Sequence, residues 1–539
     1  MNGADAMIKC LEKEGVKALF GYPGVAICPF FNSILNSNIE SILVRTEQNA
    51  GHAANGYARV TGEVGVCVAT SGPGATNLIT GIATAFADSI PLVCITGQVN
   101  SSLLGSDVFQ EADITGATES FVKYSYLVKD VEDIPRVFKE AFHIASTGRK
   151  GPVLIDVPID IQNAAISKFK YPEEVNLRTY KPTVNGHIVQ IKKVIKELTK
   201  AERPIICAGG GVLLSGAEQE LRNFAEKYEI PVVSTMMGIG AMPTEHPMYY
   251  GMVGNNGKPY ANRAMNESDL LIVVGARVAD RAMSQPDLIT ENKVMVHIDV
   301  DPAEIGKNVG PTIPLVGDIK HIFKDIEKQD FECEHDLWIN TLDLYRTTMG
   351  SKRRPDRSYV DPEGFIGTLS KELDEDAIYV ADVGQNQIWS CAYHVVKKGK
   401  FLTSGGMGTM GYSIPAAMGA KKALGDKRQV VAVCGDGSFQ MSMMELATIR
   451  QHDIPIKIIV FNNHYLGMVR EYQHYAYSDN YSVVDLTGSP DLEKLSAAYD
   501  VKYTRVDNMN DVSMKIKAFL NESGTSLMEC MIDPMDLVK

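Results

Sequence analysis

The chain has 539 residues, too many for one hydrophobic core, so at roughly 150 residues per domain it should hold three or four domains and is not a single small module. Its 45 % hydrophobic and 22 % charged residues, with 46 Gly and 24 Pro, exclude a disordered, collagen-like or coiled-coil chain. The 53 basic against 66 acidic residues, a net charge of −13, argue against nucleic acid or an anionic membrane as the main partner and leave small molecules.

The first sixteen residues, MNGADAMIKCLEKEGV, read as a short amphipathic helix with neither the basic start nor the apolar core of a signal peptide. No later run reaches the ~18 apolar residues of a membrane span, so a cytoplasmic chain is expected. The nine cysteines form no C-x-x-C pair and no zinc spacing, and most sit in apolar runs, which predicts buried reduced thiols.

One unit recurs three times: an apolar strand, a glycine-rich turn, an amphipathic helix, the dipeptide Ile-Pro and another apolar strand. The first copy runs VGVCVATSGPG, NLITGIATAFADS, Ile90-Pro91, LVCITG. The second is PIICAGGG, AEQELRNFAEKYE, Ile230-Pro231, VVST, and the third VVAVCGDGS, MSMMELATIRQHD, Ile454-Pro455, IKIIVFNN. Near-continuous apolar strands alternating with helices predict parallel sheets buried on both faces. The expected fold is therefore α/β, three doubly wound parallel-sheet domains at 1–165, 186–330 and 360–539. The charged, proline-containing stretches 166–186 and 330–364 are the expected joints.

The third copy carries the strongest chemical signal. Gly435-Asp436-Gly437-Ser438 and Asn462-Asn463 end neighbouring strands of one βαβ unit, so Asp436 and Asn463 converge where doubly wound sheets bind ligands. A carboxylate and an amide oxygen are hard donors suited to Mg²⁺, which takes its other ligands from phosphate and water. The flanking glycines let the backbone approach a phosphate, and the following helix N-terminus favours an anion. A Mg²⁺-diphosphate site is the expectation.

With these two motifs the chain resembles thiamine-diphosphate (ThDP) enzymes of the acetolactate synthase type, a likeness that runs from Gly21 to about Pro534. The resemblance implies a pyrimidine-binding first domain, a flavin-type Rossmann-like middle domain and a diphosphate-binding last domain. In Arg45-Thr46-Glu47-Gln48-Asn49 it assigns Glu47 to N1′ of the cofactor's aminopyrimidine, promoting the imino tautomer that deprotonates C2. A poorly solvated site lets Glu47 share that proton. Met410, in Ser404-Gly405-Gly406-Met407-Gly408-Thr409-Met410, falls at the position that props the cofactor into a V. Tyr22, Pro23 and Gly24 join Glu47 at the pyrimidine end. Gln385, Asn386, Gly408, Gly435, Asp436, Gly437, Ser438, Asn463, Leu466, Gly467 and Met468 fall around the diphosphate and thiazolium, and the metal positions are Asp436, Asn463 and Tyr465. Asn386 replaces the family's usual histidine and is expected to donate to a phosphate oxygen without charge.

By the same likeness, Phe109 and Gln110 belong to the loop that approaches the thiazolium, with Gln110 donating to a substrate-derived oxygen, and Arg281 contacts the carboxylate of a second 2-keto acid. Arg149, Gly209, Gly210, Gly211, Thr235, Met236, Gly275, Arg277, Asp299, Val300 and Asp318 stand where the family contacts FAD, which is not the redox partner of the main reaction. Because the two cofactor ends are held by different subunits in such enzymes, a homodimer or homotetramer is implied; a regulatory small subunit is left open.

The implied reaction decarboxylates pyruvate and passes the two-carbon unit to a second carbonyl compound, with pyruvate as the leading acceptor and 2-acetolactate and CO₂ as products. Departures from the family pattern cluster round the pocket. Val25 stands for a glycine, Tyr472 for a tryptophan, Ile159 for a lysine, Asn255-Asn256 for Met-His and Ala279 for an aspartate, and the chain stops at CMIDPMDLVK where the family continues. They weigh against an anabolic role in branched-chain amino-acid synthesis and keep two alternatives: transfer to another ketone such as a nucleotide-linked keto-sugar, and a flavin-linked pyruvate oxidase.

Overall fold

In the computed structural model, which describes residues 1–283, 289, 291, 293–329, 331–349 and 358–538, the apolar runs become three six-stranded sheets, parallel throughout. The first holds β1 (Ala18–Gly21), β2 (Glu40–Leu43), β3 (Gly65–Ala69), β4 (Leu92–Gln98), β5 (Tyr124–Leu127) and β6 (Pro152–Pro158), in the order β2-β1-β3-β4-β6-β5. The second holds β7 (Pro204–Ala208), β8 (Val232–Ser234), β9 (Tyr249–Met252), β10 (Leu270–Val274), β11 (Val294–Asp299) and β12 (Ile313–Val316), in the order β12-β11-β10-β7-β8-β9. The third holds β13 (Ile378–Ala381), β14 (Lys400–Thr403), β15 (Val430–Gly435), β16 (Lys457–Asn462), β17 (Lys502–Val506) and β18 (Ser526–Met531), ordered β14-β13-β15-β16-β18-β17. The outer sheets share one topology, and the middle one has the dinucleotide-binding strand order.

The three Ile-Pro dipeptides have one physical cause. Ser89, Glu229 and Asp453 each take a left-handed φ of 60, 51 and 48° at a helix end. The next N–H, of Ile90, Ile230 or Ile454, bonds the carbonyl five residues back, on Ala85, Ala225 or Ile449, at 2.8–3.0 Å. This is the Schellman stop, with the isoleucine packed inward and the proline blocking further helix. Each strand of the pair thus starts at a fixed distance from its helix.

The joint expected at 330–364 contains a helix, Asp336–Thr348, that packs Trp338 and Leu342 into the middle core. Seven cysteines are buried; Cys28 is exposed and Cys333 half-buried. Among the described residues no helix is long and apolar enough to cross a membrane.

The outer domains are welded by two helices at equivalent places in their sheets, Glu47–Thr61 and Ser413–Leu424. A Cβ on Gly56 would run into the Ala416 carbonyl, and one on Gly419 into the Ala53 carbonyl, so both positions need glycine. Those pairings run in opposite senses along the two helices, which therefore cross antiparallel. Tyr412 Oη donates to Asn55 Oδ1 at 2.8 Å at one end of the crossing.

Asp156 of β6 is 1 % exposed and accepts from Thr96 Oγ1 (2.7 Å) and Gln98 Nε2 (3.0 Å) on neighbouring β4. Gln98 Nε2 also donates to the Ala112 carbonyl, tying down the loop that carries Gln110. Burial pushes the Asp156 carboxyl up to about 7. Its contribution to stability is therefore complete below the unfolded-state value near 4 and is lost as pH rises through 7. Asp156→Asn should melt progressively higher relative to wild type from pH 4 to 7, gaining at most roughly 1.4 kcal/mol per pH unit. A difference in melting temperature independent of pH contradicts this.

Candidate active site

In the last sheet the strand order reverses between β13 and β15, opening a crevice at their carboxyl ends. A slot there is lined by Gly384, Gln385, Asn386, Met410, Gly435, Asp436, Gly437, Ser438, Asn463, Tyr465, Leu466, Gly467 and Met468. Asp436 is 4 % exposed, yet its Oδ2 finds no hydrogen-bond partner, and burial pushes its carboxyl up to about 7. A buried carboxylate left unpaired is costly, and a cation removes that cost. Asn463 Oδ1 accepts from Tyr465 N at 3.0 Å, and its Nδ2 donates to Gln385 Oε1 at 3.2 Å. A Cβ on Gly437 would lie 2.7 Å from Leu466, and one on Gly467 would strike the Gln385 amide, so the wall must be glycine. Among the described residues no three His, Cys, Asp or Glu side chains converge. A cation here must draw on one carboxylate, amide or main-chain oxygens and its ligand's phosphates, the donor set that suits Mg²⁺.

Two carboxylates hold this slot in shape: Asp382, which opens the segment Asp382-Val383-Gly384-Gln385-Asn386 that resembles the family's diphosphate loop, and Glu471; the sequence announces the anchoring role of neither. Asp382, fully buried, accepts from Val383 N and Gly411 N through Oδ1 (2.8 and 2.9 Å) and from Ser413 N through Oδ2 (2.7 Å). It therefore fixes the residues on both sides of the Met410 segment, whose turn uses Gly408 and Gly411 at φ of 70 and 86°. Glu471 accepts from Gln385 Nε2 at 3.0 Å. Asn386 departs from expectation: its Nδ2 is spent on the Asp382 and Val433 carbonyls at 2.9 and 3.3 Å, so it anchors the loop and has only Oδ1 left to offer.

Glu47 opens the helix after β2 and is 9 % exposed. Asn77 Nδ2 donates to its Oε2 at 3.1 Å, while a Cβ on Gly74 would come 3.2 Å from its Oε1, so glycine leaves that oxygen accessible. Gly24 packs on Thr70 too closely for any side chain. Gln110 adopts a left-handed φ of 59° against Gly72, and Tyr22, Pro23, Val25 and Phe109 are exposed nearby along the chain. Glu445, from the last domain, is fully buried against this segment. Its Oε1 accepts from Arg45 N and Asn49 Nδ2 (both 2.9 Å) and its Oε2 from Thr448 Oγ1 (2.6 Å).

None of Tyr22, Pro23, Gly24, Glu47 or Gln110 lines the slot. The antiparallel crossing explains why. Met410 precedes Ser413 at the Arg59 end of the helix pair, where Thr84 Oγ1 and Thr409 Oγ1 also meet at 2.7 Å, whereas Glu47 begins the other end. A helix of fifteen residues separates them by on the order of 20 Å.

The middle sheet reverses between β7 and β10, and a cavity of about 540 Å³ opens there. Its wall includes Arg149, Gly210, Gly211, Thr235, Met236, Gly275, Arg277, Ala279, Arg281, Asp299, Val300 and Asp318, and reaches Gly408, Met410 and Met468. Gly209 lies behind, its Cα side closed by the Gly275 carbonyl and Ala276, so the two strand-end turns approach without side chains. Arg149 crosses from the first domain to pair with Asp301 (3.2 Å) and Glu304 (2.8 Å). Burial pushes Asp299 up to about 6. Arg281 is held only loosely, its side chain 84 % exposed at the rim and 3.9 Å from Asp280. Tyr472 is 63 % exposed and lines neither cavity.

The chain matches three family models described as thiamine pyrophosphate enzyme domains: the N-terminal TPP binding domain over residues 1–117, the central domain over 191–326 and the C-terminal TPP binding domain over 382–530. It is 44 % identical to a probable acetolactate synthase large subunit of Methanocaldococcus jannaschii, across 99 % of this chain and 93 % of that one. Identity is 41 % with an acetolactate synthase of Arthrospira platensis (99 and 94 % covered) and 43 % with an acetolactate synthase large subunit of Buchnera aphidicola (93 and 88 %).

Glu445→Ala orphans two donors of the segment that presents Glu47, at about 1–3 kcal/mol each, whereas Glu445→Gln keeps an acceptor. The alanine variant should lose both melting temperature and kcat/KM, and the glutamine variant should recover most of each. Equal behaviour of both variants and wild type would show that Glu445 does not position the segment.

Proposed function

The chain belongs to the thiamine pyrophosphate enzymes, and on that premise we propose that it is the catalytic subunit of an acetolactate synthase, converting two pyruvates to 2-acetolactate and CO₂. The observation that carries the reading is Asp436, a buried carboxylate with an unpartnered oxygen in a glycine-walled slot, where the divalent cation that accompanies a diphosphate would offset the buried negative charge. The names of the relatives support pyruvate as acceptor over a keto-sugar, and a carboligase over an oxidase.

Bound ThDP supplies a carbon nucleophile and an electron sink for decarboxylation. Asp436 and Asn463, with the main chain at Tyr465, would hold Mg²⁺. The main-chain N–H of Gln385 at its helix start, Ser438 and the Leu466–Met468 turn would hold the diphosphate, the Gln385 side-chain amide being spent on Glu471 and the Asp536 carbonyl. Glu47 Oε1, left accessible by Gly74 while Asn77 fixes Oε2, would hold a proton at the pyrimidine nitrogen. Met410, on a turn clamped through Asp382, would prop the cofactor. Gln110, on its strained turn, would donate to the substrate-derived oxygen, with Phe109 beside it. Arg281 at the cavity rim is free to reach a second keto acid's carboxylate.

The middle cavity would hold FAD, with Arg149, Arg277 and the Gly210–Gly211 and Gly275 turns suited to phosphates and Asp299 and Asp318 to hydroxyls. Because Glu47 and Met410 of one chain stand a helix length apart, one cofactor needs Glu47 from one copy and the slot from another. A homodimer, alone or paired into a tetramer, meets that requirement.

With ThDP and Mg²⁺, pyruvate alone should yield acetolactate and CO₂ in step. Glu47→Gln should lower the rate about 10²–10⁴-fold while ThDP still raises the melting temperature. Acetaldehyde as the sole product, or turnover that depends on an electron acceptor, would exclude the synthase reading. An undiminished Glu47→Gln variant would exclude the role of Glu47.

A further inference from the structure

A second cavity, of about 200 Å³, lies where the three domains meet and shares Gly210, Met236 and Met237 with the wall of the large one. Five cations line it in a chain whose net charge is −13. Two are neutralised, Arg59 by Asp88 at 2.7 Å and Lys398 by Glu375 at 2.6 Å. The other three, Arg222 from the middle domain and Lys397 and Lys400 from the last, have no carboxylate within ion-pair distance among the described residues. Among the described residues Arg222 Nε is buried without a hydrogen-bond partner, and Lys400 Nζ reaches only the Arg59 carbonyl, at 2.9 Å. Burial accordingly holds the Lys400 ammonium below its usual value. The one remaining acid on the wall is Glu218.

Unpaired cations collected from two domains around a common void, with the Arg222 Nε and Lys400 buried, are costly unless an anion completes them. Three positive charges against one negative leave a deficit of two. A dianionic phosphoryl group meets that deficit, whereas a monocarboxylate leaves half of it, and arginine with lysine is the usual phosphate-binding pair. The lining also includes the apolar side chains of Met237, Ile239 and Phe401. The volume falls below the ~300 Å³ of ordinary cofactor pockets and excludes a dinucleotide. We propose that this cavity binds a small organic phosphate, its phosphoryl oxygens on Arg222, Lys397 and Lys400 and its carbon body against Met237, Ile239 and Phe401. The site does not depend on the carboligase reading.

The test is calorimetry with phenyl phosphate on enzyme saturated with ThDP, Mg²⁺ and FAD, so that the other phosphate sites are filled. Saturable binding of one molecule per chain is expected, weakening as salt rises. Benzoate, a monoanion of similar shape, should bind at least about tenfold more weakly. Arg222→Gln combined with Lys397→Gln should weaken phenyl phosphate at least about tenfold and leave kcat without the probe unchanged. Lys397→Gln alone, at a half-buried position, provides a second variant should the double one fail to fold. No saturable binding at millimolar phenyl phosphate, equal affinity for benzoate, or undiminished affinity in a folded variant each overturns the proposal.

Discussion

The antiparallel crossing of the helices Glu47–Thr61 and Ser413–Leu424 is the constraint on which the remaining structure depends. It is closed at two points where a main-chain carbonyl occupies the space of a missing Cβ, Ala416 on Gly56 and Ala53 on Gly419. Interiors pack at crystal density, so such an approach cannot be relaxed by a fraction of an ångström without moving a whole domain. Because each helix follows the second strand of its sheet, the crossing relates two domains of one topology by a local two-fold. That relation sends Glu47 and Met410 to opposite ends of the pair. On the proposed function, a single chain thus carries both halves of a cofactor site and holds them apart.

Buried carboxylates then fix each half. Asp382 gathers three main-chain donors around the Met410 turn, and Glu445 takes two from the Glu47 segment across the domain boundary. Glu445 follows shortly after the Asp436 turn, so one stretch of the last domain shapes its own slot and steadies the Glu47 segment of the first. Asp436 differs from both: its Oδ2 has no donor among the described residues, which leaves that oxygen able to take a cation.

The three sheets were legible because each depends on a local pattern that composition cannot disguise: apolar runs ending in glycine turns, and an isoleucine-proline stop whose geometry is the same in every copy. Asp436 and Asn463 were legible because strand ends that are neighbours in a βαβ unit are neighbours in space. The anchoring roles of Asp382 and Glu445 were not, since a carboxylate whose partners lie about thirty or four hundred residues away gives no local sign of them. Asn386 could be aligned with a ligand-binding histidine, but where its amide hydrogens go is decided by the Asp382 and Val433 carbonyls. The helix Asp336–Thr348 was hidden among the charges and prolines of an apparent joint, with Trp338 and Leu342 as its few apolar anchors. The helix crossing itself was invisible, because glycine and alanine inside a helix give no sign of what they face.

The most direct test of this account is complementation between two differently tagged chains, one carrying Glu47→Gln and the other Asp436→Asn, each inactive when alone. If every active centre takes Glu47 from one copy and Asp436 from the other, the purified mixed dimer retains one intact centre of two and about half of wild-type turnover. If both groups served a centre within one chain, every centre in the mixed dimer would be broken, and an inactive, correctly assembled mixed dimer would contradict the account.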